Sequence, residues 1–191
     1  MDDFFALVRR YGHAPDHELQ AVAERSYMVS MRQGECFLRA GQVCHKVGLV
    51  LEGVFRTFVI DENGREITRL LLSESNLVAD LHSYRRQVPS IEQSEALTDA
   101  RLMVWERPDL DMLERSIPSW HPVTSNMAQQ VLLGGMMERT EMLSDDAATR
   151  YRKFMERYPR DLARIPLRYL ASYLGIAPQS LSRIRQQMGK R

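Results

Sequence analysis

The spacing of apolar positions divides the 191-residue chain into stretches of different period. At the start, Phe4, Phe5, Leu7 and Val8 form one apolar set. Leu19, Val22 and Ala23 form a second at helical spacing, with Asp16 placed to cap it and Glu18 in its first turn. From about Ser26 to Trp105 the pattern changes to short apolar runs punctuated by Gly34, Gly41, Gly48, Gly53 and Gly64. Residues 47–51 and 54–60 read as strands. Asp61-Glu62-Asn63-Gly64 reads as a hairpin turn, because Asn-Gly accepts positive φ at little cost. Residues 66–72 return as the partner strand, with Ile67, Leu70 and Leu72 available for burial, and residues 94–97 and 101–105 supply two more. Short strands at spacings of roughly 8–12 residues predict an antiparallel barrel or jelly roll.

Helical spacing returns after Pro108. Leu110, Leu113 and Ile117 mark a short helix that stops before Pro118. A long helix is predicted over 119–143, carrying Val123, Met127, Val131, Leu132, Met136 and Leu143. Gly134-Gly135 in its middle costs roughly 2 kcal/mol of helix propensity relative to alanine, which is tolerable where a second helix packs closely. Such a stripe serves a dimer helix or a core helix equally well. Ser144-Asp145-Asp146 then caps a helix over 147–158, ended by Pro159.

Hydrophobic residues make up 44% and charged residues 27%, which excludes a collagenous or largely disordered chain. The length allows one large domain, or a medium one with a small companion. No run of 18 apolar residues occurs, so a spanning helix is excluded, and the acidic start Met1-Asp2-Asp3 is unlike a signal peptide. The expected location is the cytoplasm. Cys36 and Cys44 are too few for a disulfide framework and match no common zinc spacing, and His45 completes no tetrahedral set, so no metal is expected.

The net charge of +1 hides an asymmetry. From Arg150 onward eleven Lys/Arg face only Glu156 and Asp161, giving +9 and leaving −8 for residues 1–149. A basic end on an acidic body suggests contact with a polyanion, although a solvated basic helix has the same composition.

Residues 165–187 are the most informative segment. Pro166 can begin a helix without losing a hydrogen bond, and Leu167, Leu170, Ala171 and Leu174 follow on one face. Gly175 stops that helix, Pro178 starts the next, and Leu181 and Ile184 turn inward. This spacing predicts a helix-turn-helix whose second helix enters the major groove of double-stranded DNA. Gln179, Ser180, Ser182, Arg183 and Gln186 face outward. Arg183 suits a bidentate bond to guanine and Gln179 suits adenine, while Arg185, Arg168 and the terminal Lys190-Arg191 suit phosphate. A generic αα-hairpin shares the glycine turn; the basic charge and the Ala/Gly/Leu/Ile spacing favour the DNA-binding form.

Barrel, long helix and terminal helix pair together resemble the Crp/Fnr family of bacterial transcription regulators. The strongest local evidence is Leu170-Ala171-Ser172-Tyr173-Leu174-Gly175-Ile176 followed by Ser180-Leu181-Ser182-Arg183-Ile184, with Gly41, Gly53 and Asn63-Gly64 for the barrel. The resemblance implies an α+β architecture. Residues 1–118 would form N-terminal helices and a cyclic-nucleotide-binding-like β jelly roll, 119–144 a dimerisation helix, and 145–191 a DNA-binding helix-turn-helix. It also implies a homodimer on a pseudo-palindromic site, with RNA polymerase a candidate partner.

Family members that bind cAMP carry a Gly-Glu pair, whose glutamate holds the ribose, and ten residues later an arginine for the cyclic phosphate. Here Ala79-Asp80 replaces the pair, and Ser90 stands ten residues after Asp80. One neutral hydroxyl cannot offset the desolvation of a phosphate, so tight cAMP binding is not expected. Arg85 or Arg86, in a predicted loop before Pro89, would have to bend inward as substitutes. Asp80, Leu81, Ser83, Tyr84, Ser90 and Ile91, with His82, are the candidate lining for a different effector, and no cofactor is assigned. The four-cysteine iron–sulfur cluster of the oxygen-sensing branch is excluded by the cysteine count.

No nucleophile elbow, P-loop, HExxH or dinucleotide fingerprint occurs, so an enzyme is not expected. The alternative function is a ligand-binding or protein-interaction module whose helix-turn-helix no longer binds DNA. Two features favour it. Ala177 precedes Pro178 where a Ser or Thr cap would add about 1 kcal/mol, and the sequence ends before any β-wing could follow.

Overall fold

The computed structural model describes residues 2–188. Lys190 and Arg191, expected to neutralise phosphate, lie outside the described residues. Two N-terminal helices, α1 (Asp2–Arg9) and α2 (Asp16–Glu24), precede the strands. Asp16 is not the cap of α2: Pro15 holds that position without a side-chain hydrogen bond. Asp16 lies inside the first turn and pairs with Arg9 at 2.7 Å, where a carboxylate also complements the helix dipole.

Then follow β1 (Tyr27–Met31), β2 (Cys36–Leu38), β3 (Lys46–Glu52), β4 (Phe55–Ile60), β5 (Glu66–Leu72), β6 (Leu77–Val78), α3 (Leu81–Arg86), β7 (Gln93–Ala96) and β8 (Ala100–Glu106). They form two four-stranded antiparallel sheets, ordered β1-β8-β3-β6 and β2-β7-β4-β5. Between the sheets lie Phe37, Leu38, Cys44, Val50, Phe55, Val78, Leu102 and Val104. The β3–β4 turn depends on Gly53, at φ 111°: a Cβ there would stand 2.6 Å from that of Ala100. Residues 85–86 belong to α3 rather than to a loop, because the Asp80 carboxylate caps it by accepting from the His82 and Ser83 amides.

The expected burial of β5 needs correction. Thr68 and Leu71 are its buried residues, while Ile67 and Leu70 are exposed and Leu72 is half-buried. A register shift opposite Thr57/Phe58 breaks the simple alternation, so two residues rather than one separate the buried pair.

Beyond the strands come α4 (Arg107–Ser116), α5 (Trp120–Ser144), α6 (Ala147–Arg157), α7 (Leu167–Tyr173) and α8 (Pro178–Met188). A second core joins α1, α2, α4 and the start of α5 through Phe4, Leu7, Leu19, Val22, Leu113, Trp120 and Val123. The Trp105 indole donates into it, to the Val22 carbonyl at 2.8 Å. The rest of α5 stands apart from this core. Val131, Leu132, Met136 and Leu143 are exposed, and the Cβ positions of Gly134 and Gly135 meet nothing within 4 Å. Asp146 caps α6 by accepting from the Thr149 amide.

A third core unites Tyr151, Phe154, Ile165, Leu170, Ala171, Leu174 and Leu181 with Val54, Leu71 and Leu97 of the barrel. The C-terminal helices are therefore packed onto the sheet that ends in β5.

Candidate nucleic-acid interface and barrel pocket

The helix pair is built from its turn outward. Gly175 has φ 66°, which lets the chain reverse immediately after α7, and the Ile176 amide closes the turn on the Ala171 carbonyl at 3.0 Å. Ala171 and Leu181 are both wholly buried, and Ile184 packs beside them. Burial of Leu181 fixes the rotation of α8. Gln179, Ser180, Arg183, Arg185 and Gln186 then face solvent, and Ser182 is half-buried at the margin. Ala177, before α8, is exposed and has no hydroxyl to offer as a cap.

Arg168, on the first turn of α7, is also exposed. Its guanidinium lies over the Tyr169 ring at 4.5 Å and donates to the Tyr169 hydroxyl at 2.6 Å. Arg168 is thus placed beside the barrel contact, on a different element from Arg183 and Arg185.

The second candidate site surrounds α3. Asp80 is buried, and both of its carboxylate oxygens accept hydrogen bonds. Its Oδ1 accepts from the amides of His82 and Ser83, and its Oδ2 accepts from the Ser90 hydroxyl at 2.6 Å. Ser83 is also buried, accepting from the Cys44 amide and donating to the Val88 carbonyl. The Ser90 backbone is used on both sides, by Gln42 and Gly41. The two residues ten apart are therefore bonded to each other.

The remaining candidates do not converge there. Leu81, His82, Arg85, Arg86 and Ile91 are exposed. Tyr84 is half-buried against Arg107, and burial pushes its phenol up to about 12.

Comparison with known proteins follows this geometry. Residues 28–116 match the family model described as the cyclic nucleotide-binding domain. The matched stretch runs from β1 through β8 to the end of α4. No curated protein matches the chain. Among solved structures, FixK2 from Bradyrhizobium japonicum aligns with TM-score 0.73 and 17% identity over 86% of this chain and 85% of that one. The catabolite activator protein of Thermus thermophilus aligns with TM-score 0.60 and 20% identity, over 96% and 87%. The c-di-GMP-responsive global regulator CLP of Xanthomonas campestris aligns with TM-score 0.67 and 14% identity, over 92% of each chain. These likenesses establish the fold. Among the described residues no helix is long and apolar enough to cross a membrane.

Within the barrel the charges beside Ser90 are negative. Glu92 is half-buried, and burial pushes its carboxyl up while Arg69 opposes the shift through an ion pair. Glu92 also shares the Ser90 hydroxyl through its own backbone amide and carbonyl. A cyclic phosphate placed here would meet Asp80 and Glu92 with one cation already engaged. Titrating cAMP into the protein should give no calorimetric binding in the sub-micromolar range; tight, saturable heat would overturn this reading of the pocket.

Sequence reasoning missed the contacts between the barrel and the segment that joins α6 to α7. Arg164 is bound to Glu74 by two contacts, at 2.7 and 2.8 Å, and Asp161 accepts from Ser73 at 2.8 Å. The Arg164 guanidinium lowers the Glu74 carboxyl from about 4.5 to about 2. A lowered folded-state value means that the pair stabilises the fold above about pH 4.5 and loses that contribution as pH falls toward 2. Glu74→Gln should therefore flatten the acid side of a stability–pH curve across that window, with little change in its slope near neutrality. Thermal melts of both proteins from pH 7 to pH 2.5 check this.

Proposed function

We propose that the chain is a sequence-specific DNA-binding transcription regulator of the Crp/Fnr type, acting as a homodimer, with a barrel that does not hold cAMP tightly. The observation that carries this reading is the outer face of α8. Gln179, Ser180, Arg183 and Arg185 lie exposed on a helix whose rotation is fixed by a wholly buried Leu181. Such a face offers amide and guanidinium groups to base edges and cations to phosphates. The +9 charge from Arg150 onward supports it.

The exposed apolar residues of α5 support the homodimer. Leu132 and Met136 are 68% and 62% exposed, on a helix whose opposite side is engaged by α6 through Lys153 and Arg157. A second copy of α5 laid on that surface would cover them and the open Gly134-Gly135 stretch. Met136→Glu should then convert a dimer into a monomer in light-scattering measurements; an unchanged mass would show that α5 does not form the interface.

Selection of duplexes from a random pool tests DNA binding. The expected product is a pseudo-palindrome bound with an affinity that falls steeply with salt, by roughly 0.9 in the log–log slope for each phosphate neutralised. Failure to enrich any sequence, with no salt-dependent binding, would favour the ligand-binding or interaction module instead.

A further inference from the structure

Arg56 is the least expected residue of the fold. It sits in β4, in the middle of a sheet, and is 2% exposed. Its guanidinium bonds Glu95 of β7 at 2.6 and 3.0 Å and pairs with Glu66 of β5 at 2.7 Å. It also lies over two rings, each centroid 3.8 Å away: Phe58 of its own strand and Tyr169 of α7. Tyr169 thus closes a site that the barrel builds from three adjacent strands. One turn along α7, the Ser172 hydroxyl accepts from the Thr68 amide of β5 at 2.9 Å and approaches the Glu66 carbonyl at 3.3 Å. β5 ends its sheet, so these are edge groups with no strand beside them.

We infer that Arg56 and Tyr169 form a latch that fixes the helix pair α7–α8 in one orientation on the barrel, making both positioning residues for DNA recognition. The inference rests on the DNA-binding reading for its purpose, but not for its physics. A planar guanidinium held between carboxylates has one preferred plane, and an aromatic ring stacked on it takes that plane as its own reference. The Ser172–Thr68 bond adds a second fixed point, so α7 is held against both sliding and rolling on β5. The α8 face remains open in this latched arrangement, since Gln179, Arg183 and Arg185 are exposed. On this inference the latched state is the one that meets DNA, and loss of the latch dilutes it among other orientations. Apparent affinity is reduced by the fraction of molecules that remain competent.

The test uses the full chain with Tyr169→Ala and Tyr169→Phe, since the tyrosine is only half-buried and its truncation leaves the barrel's own ion pairs in place. Amide exchange followed by NMR should show the Thr68 amide and α7 losing protection in Tyr169→Ala, with β3 and β8 unchanged. Tyr169→Phe, which keeps the ring and gives up only the hydroxyl that accepts from Arg168, should keep wild-type protection. Affinity for a duplex obtained by selection should fall about ten-fold in Tyr169→Ala if nine molecules in ten become unlatched, and recover in Tyr169→Phe. Arg56→Lys, which keeps the charge and loses the planar stack, should reproduce the loss. Unchanged Thr68 protection in Tyr169→Ala overturns the latch, and so does lost protection with full DNA affinity. A wild-type chain that enriches no duplex defeats the DNA-binding reading alone, and the exchange result still decides whether the latch exists.

Discussion

Arg183→Ala is expected to weaken binding to a selected duplex by about 1–3 kcal/mol, roughly five- to 150-fold, and to relax the sequence preference at one position of each half-site. The reasoning starts from rotation. Leu181 fills the core at 0% exposed, and two residues later Arg183 projects from the opposite side of the helix. A guanidinium there presents a fork of donors that matches the O6 and N7 of guanine, and the methyl of alanine offers none. Arg185→Ala and Arg168→Ala should instead lower affinity for all sequences alike and reduce the salt slope by about one each. Parallel titrations of wild type and variants against the selected and a scrambled duplex separate these outcomes. Equal losses on both duplexes for Arg183→Ala would assign Arg183 to phosphate.

Leu181→Ala carries the largest expected cost in stability. Removing a wholly buried leucine side chain costs about 2–5 kcal/mol through lost transfer energy and the cavity left behind. Leu181 shares its core with Val54, Leu71 and Leu97 of the barrel, so the damage is not confined to the helix pair. At roughly 2–4 °C per kcal/mol for a chain of this size, the melting temperature should drop by about 4–20 °C as one transition. A separate early transition in calorimetry would show instead that the C-terminal helices melt independently of the barrel.

Much of the fold is written in local patterns. The β3, β4, β5, β7 and β8 strands, the β4–β5 hairpin, α5, α6 and the α7–α8 turn all follow from apolar spacing and from Gly64, Asp146 and Gly175, because each depends on neighbours in sequence. Strands β1, β2 and β6 are short or lack a clean alternation, and their pairing with distant strands decides them. The outward turn of Ile67 and Leu70 is invisible to a period-two count, because a register shift turns Thr68 and Leu71 inward.

The candidate pocket was half legible. The ten-residue spacing of Asp80 and Ser90 could be read from the sequence, and the resemblance gave it meaning; their mutual bond could not, since it needs α3 and the stretch before β7 to meet in space. Arg56 did leave a trace. A cation inside the apolar run 54–60 demands a carboxylate partner, and Glu66 and Glu95 lie in neighbouring strands. Its aromatic partner in α7 lies more than a hundred positions away, and no local signal connects the two.

The bond between Asp80 and Ser90 bears on how such a protein would be controlled. Polar groups that already satisfy one another resist a guest that would compete for the same hydrogen bonds. For a regulator of the proposed type, a guest entering beside α3 would first have to part Ser90 from Asp80, and its affinity would carry the cost of that bond.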